Sequence, residues 1–175
     1  MKPFIQGDLD GLCGVYSLLN ALKVLGYKNS LEDWQAILLD ILIFLYNDKQ
    51  STEFLIDGIT TPDISRLLKN IIIPEYKITY TKPFHSKADA SLSEFWNALF
   101  THLNSISHHA AILCIEGNDY GHWTVVKSLS EKRLLLFDSD RVKWVNRKQC
   151  TTAELTQKTP TFINPATLFL LKKIT

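Results

Sequence analysis

The sequence predicts an α+β fold: an N-terminal helical half whose first helix carries a cysteine, packed on a C-terminal antiparallel β-sheet. Three observations predict it. Apolar residues in the first half recur at helical spacing behind capping patterns. Those in the second half come as short runs bounded by turn residues. Helices first and strands second is an order typical of α+β domains.

The elements follow in order. Leu12, Tyr16, Leu19 and Leu22 keep a 3.6-residue period, and Gly26 stops it. Ser30 with Asp33 resembles a helix start, with apolar residues running on to Tyr46. Thr61-Pro62-Asp63 places proline where a first turn accepts it, opening a short helix to about Lys69. Ser91 with Glu94 forms a capping box before Phe95, Leu99 and Leu103. Strands are expected over Ala110–Ile115 and, after the turn-rich segment from Gly117 through Asp119 to Gly121, over His122–Leu129. Arg133–Phe137, Val142–Val145 and Thr167–Leu171 complete the set.

A length of 175 residues, with no internal repeat and no low-complexity linker, predicts a single domain over 1–175. Net charge is +1, which removes the electrostatic case for nucleic acid. The greasiest stretch, Ala36–Tyr46, is interrupted by Asp40 and falls short of the roughly 20 apolar residues of a membrane span. It reads as a core helix. MKPFIQGD has no signal-peptide apolar region. Three cysteines, Cys13, Cys114 and Cys150, are an odd number. With no export signal they argue for a reducing compartment, so a cytoplasmic location is expected.

Chemistry concentrates at four positions. Cys13 stands at the first turn of its predicted helix. There, unpaired backbone N–H groups and the helix dipole favour an anion, and thiolate is the reactive form of cysteine. Gly11 and Gly14 keep its surroundings slim. His122 stands at a turn-to-strand junction, where it can accept a thiol proton and later protonate a leaving group. The other four histidines, His85, His102, His108 and His109, lack a comparable context. Asp138 ends the strand that follows and returns near His122 in a hairpin, where a carboxylate can fix the imidazole tautomer. Asp140 is its rival on the same nominal face; Asp138 is preferred for its place at the strand end. Gln6, joined to Cys13 by a flexible Gly7–Gly11 stretch, can donate its amide to an oxyanion together with the Cys13 N–H. Trp123 and Gly121, flanking His122, are the expected substrate contacts. There is no Cys-x-x-Cys or paired His/Cys cluster, so neither metal nor other cofactor is expected.

Gln6, Cys13, His122 and Asp138, in that order, resemble the papain-like cysteine peptidase superfamily. Proteases that place histidine before cysteine fit poorly. Asp10-Gly11-Leu12-Cys13-Gly14-Val15-Tyr16 and Gly121-His122-Trp123-Thr124-Val125-Val126 resemble its compact bacterial branch. That branch includes the bacteriocin-leader peptidase domains of ABC exporters. The resemblance implies a papain-like fold, Cys13 as nucleophile, His122 as base and acid, Asp138 as its orienting group and Gln6 in the oxyanion hole. No transporter segments and no propeptide are visible. A free-standing hydrolase is therefore expected, intracellular or delivered as an effector, cleaving a peptide or isopeptide bond in a protein or peptide substrate. The same thioester chemistry on a glutamine side chain would give a deamidase or transglutaminase-type effector. A catalytically inactive binding module is the alternative from another class, weakened by the presence of all four residue types. Residues 31–90 carry no chemical motif.

Overall fold

Reciprocal capping decides where the long helices begin. In the computed structural model, which describes residues 1–87, 89–105, 108–118 and 120–174, Ser30 accepts from the Asp33 N–H while Asp33 accepts from the Ser30 N–H. This box opens α2 (Leu31–Lys49); the same exchange between Ser91 and Glu94 opens α6 (Leu92–Leu103). Losing such a cap typically costs about 1 kcal/mol. Thr60 and Asp63 form a third box, ahead of α4 (Thr61–Leu67). That helix continues through a π-turn over Leu68–Ile72 into the short α5 (Ile73–Glu75). Before them lie α1 (Cys13–Val24), which runs to the left-handed Gly26, and the single turn α3 (Phe54–Asp57).

The strands are β1 (Ile78–Thr81), β2 (His109–Glu116), β3 (Gly121–Leu129), β4 (Arg133–Leu136), β5 (Trp144–Asn146), β6 (Cys150–Thr151), β7 (Thr161–Ile163) and β8 (Phe169–Lys173). Their order across the sheet is β1-β8-β2-β3-β4-β5, with every neighbour antiparallel. β7 pairs with the end of β2 beyond β8, and β6 lies parallel to β7. The chain is therefore α+β, with four corrections to the expected elements. β1 falls within the half that reads as helical. The sheet is not wholly antiparallel. The strand expected from Val142 is β5 and begins at Trp144, and the last begins at Phe169 rather than Thr167, because Thr167 closes a 3-10 turn. Asp119, placed by the sequence in the turn before β3, lies outside the described residues.

The sheet separates two apolar cores. Ala110, Ile112 and Cys114 of β2 pack with α1, α2 and α4; Ala111, Leu113 and Ile115 pack with Phe95, Trp96 and Leu99 of α6. Burial of β2 on both faces explains why its sequence is a continuous apolar run instead of an alternating one. α1 crosses β2 and β3 and brings its N-terminal end toward the start of β3. That crossing positions the cysteine.

Candidate active site

Cys13 is the first residue of α1. The N-cap residue Leu12 makes no side-chain cap, and the first turn of the helix carries no acidic residue. Gly11 and Gly14 allow a close approach of another segment. A Cβ on Gly11 would strike the Ile56 carbonyl, and one on Gly14 would lie 2.5 Å from Ile59 Cγ1. The Gly11 N–H also donates to the Leu55 carbonyl at 2.7 Å. Residues 55–59 thus form a wall against the cysteine end of α1.

His122 is the second residue of β3 and is 9% exposed. The Val126–Leu136 pairing, continued by the Phe137 N–H on the Val125 carbonyl, returns the chain beside it. Asp138 Oδ2 then accepts from His122 Nε2 at 2.7 Å. Asp138 Oδ1 accepts the N–H groups of Asp140 at 2.8 Å and Val142 at 3.1 Å, across a tight turn in which Arg141 has φ 63°. Asp140 touches the ring through none of these bonds and stays exposed. Cys13 lines the same cavity as the imidazole and acts on its charge. Since Nε2 is engaged by Asp138, Nδ1 is the nitrogen left for the thiol. Burial lowers the His122 pKa, but Asp138 and Cys13 outweigh it and raise it to about 10. Burial acts upward on Asp138, and the His122 contact overrides it to hold the carboxylate below its ordinary range.

Gln6 reaches the same place from the N-terminal segment. Its backbone N–H donates to the Ser139 carbonyl at 3.1 Å. The Ser139 hydroxyl donates to Gln6 Oε1 at 3.3 Å, while Nε2 donates to the Asp10 carbonyl at 3.3 Å. The amide is therefore oriented with its donor end toward the cysteine loop. That loop is not the flexible connection expected from its composition. Asp10 accepts the Gly7 N–H at 2.8 Å and the Leu12 N–H at 3.1 Å, which fixes the turn.

Gln6, Cys13 and His122 line one cavity of about 390 Å³. No family model, curated protein or solved structure matches the chain. The chemistry of the cavity must speak for itself. Gly121 lines it, as does Trp123. Trp123 is 6% exposed, with its indole N–H on the Ile59 carbonyl at 2.9 Å; it is a wall that ties residues 55–59 to the sheet, not an open face. Sequence reasoning missed Ile56–Ile59 and Cys114, which complete the lining. For Cys114 the alternation of β2 carries a signal, since it shares a face with Ala110 and Ile112. Residues 56–59 carry none. Among the described residues, no group of three or more His, Cys, Asp or Glu side chains could hold a metal ion. No described helix is long and apolar enough to cross a membrane.

The His122–Asp138 contact predicts a pH dependence of stability. A histidine raised from 6.5 to about 10 stabilises the fold fully below about pH 6.5, and that contribution is lost as pH rises toward 10. A lowered Asp138 contributes above about pH 4, and its contribution is lost as pH falls. The urea midpoint should therefore be highest between about pH 4 and 6.5. In His122→Gln the decline between pH 7 and 10 should flatten. An unchanged alkaline decline in that variant would show that other groups cause it.

Proposed function

We propose that the protein is a papain-like cysteine hydrolase that cleaves a peptide or isopeptide bond through a Cys13 thioester. One observation carries this reading: Gln6, Cys13 and His122 line one cavity, and Asp138 accepts from the His122 ring there. In the first step His122 Nδ1 holds the thiol proton and the Cys13 sulfur attacks the substrate carbonyl carbon. The resulting oxyanion lies between the Gln6 side-chain amide and the Cys13 backbone N–H. The tetrahedral species collapses, the C–N bond breaks and His122 protonates the departing amine. Water, deprotonated by the same ring, then hydrolyses the thioester. Asp138 holds the ring in one orientation throughout. All three cysteines are unpaired, which supports a reducing compartment.

The test is alkylation by iodoacetamide at pH 7, mapped by mass. Burial pushes the Cys114 and Cys150 thiols up to about 12, leaving only about 10⁻⁵ of either as thiolate at that pH. Cys13 should react far faster than both. Equally slow labelling of all three would favour an inactive scaffold. A substrate is then sought by capture on Cys13→Ala protein.

Gln6→Ala separates the oxyanion hole from the nucleophile. Losing one oxyanion donor typically costs on the order of 10²–10³ in turnover. Turnover of the captured substrate should fall by that amount, while alkylation of Cys13 should stay near normal, because it needs thiolate alone. Full turnover with an intact fold by circular dichroism would remove Gln6 from the mechanism.

A further inference from the structure

A second cavity, of about 510 Å³, also borders His122. Gly121 and His122 line both cavities, so the two adjoin at these residues. Tyr120, Asp140 and Trp144 line only the second. We propose that this cavity binds a positively charged side chain on the leaving-group side of the scissile bond, with Asp140, Tyr120 and Trp144 as its specificity determinants. The proposal rests on the reading of Cys13 as the acyl carrier.

The side follows from the chemistry. The departing amine takes its proton from His122, so the chain that departs lies against the imidazole. The second cavity, which borders the imidazole, is where that chain continues.

The charge follows from the lining. Asp140 is exposed, and its carboxylate has no hydrogen-bond or ion-pair partner among the described residues. Its backbone N–H donates to Asp138, which holds the main chain at this edge of the cavity. Among the described residues, Asp140 is the only carboxylate lining this cavity. Tyr120 is 54% exposed and Trp144 47%, high values for such large rings. Tyr120 is held in place: its ring covers Gly117, whose N–H donates to the Tyr120 carbonyl at 2.9 Å. Aromatic faces beside a carboxylate attract a cation from two directions. The Arg133 guanidinium already lies 5.5 Å from the Trp144 ring, from a strand that does not line this cavity. The positive charge on His122 is compensated by Asp138.

The probes are argininamide and citrullinamide, which share a shape and differ in charge. Binding is read first on Cys13→Ala protein, from the indole N–H shift of Trp144 by NMR. Argininamide should bind about five- to tenfold more tightly. The ratio should fall to about one in the Asp140→Asn form of the same protein. Equal binding of the two probes, or a preference that survives Asp140→Asn, overturns the proposal. The second reading uses the cysteine-containing protein acylated with p-nitrophenyl acetate. Argininamide attacks the thioester, the C–S bond breaks, an amide forms, and the amine's proton passes to His122. Argininamide should capture the acetyl group about five- to tenfold better than citrullinamide. Equal capture by an acetylated Cys13 would overturn the leaving-side assignment. Absence of any acetyl-Cys13 would overturn both the hydrolase reading and that assignment, while the NMR titration would still decide whether the cavity takes a cation.

Discussion

Replacing His122 with alanine is expected to lower turnover by on the order of 10⁴–10⁶, the loss seen when a hydrolase loses its base. Two effects combine. On the proposed mechanism the ring takes the Cys13 proton, and it is also the acid for the departing amine. With Asp138 and Cys13 holding it protonated well above neutrality, it balances the charge of an anionic sulfur as well. Alkylation of Cys13 at pH 7 should therefore slow in the same variant, unlike in Gln6→Ala. The measurements are substrate turnover and iodoacetamide labelling on protein with an unchanged circular dichroism spectrum. If labelling of Cys13 keeps its normal rate, His122 does not govern the nucleophile.

Asp138→Asn is expected to lower turnover by about 10⁴, the scale of losing the orienting carboxylate of a triad. The amide can turn its NH₂ group toward Nε2, which removes the acceptor that selects one tautomer. The side chain is 2% exposed and accepts from His122, Asp140 and Val142, so a loss of stability should accompany the loss of rate. Asp140→Asn is the control. On a substrate without a basic leaving-side residue it should change turnover by less than about tenfold, since its side chain makes no bond to the imidazole. A greater rate loss at Asp140 than at Asp138 would reverse the assignment made from the geometry.

What could be read in the sequence was local. The boxes at Ser30 and Ser91 lie within four residues, and the helices they start are where the spacing put them. The hairpin from β3 to β4 is also local, which is why Asp138 could be matched to His122 from its place at a strand end. What could not be read depends on distant partners. Ile78–Thr81 becomes a strand because β8 lies beside it, and four residues without a periodic neighbourhood give no hint of that. The wall at Ile56–Ile59 forms because two glycines of the cysteine segment let it approach, a fit visible only once the chain has folded. Trp123 read as a groove residue because it follows His122; its indole instead points inward to the Ile59 carbonyl.

The bonds between Gln6 and Ser139 join residues 133 positions apart. β8, the last strand along the chain, lies between β1 and β2, one strand in from the edge of the sheet. In synthesis Cys13 and Gln6 precede their partners in the cavity. The imidazole, its carboxylate and the strand that closes the sheet follow much later. Until Phe169–Lys173 emerges, β1 has no neighbour in the sheet, and β2 is unpaired along most of that edge. Catalytic competence on this reading is a property of the finished chain, and a nascent or truncated copy carries a cysteine with no partner to activate it.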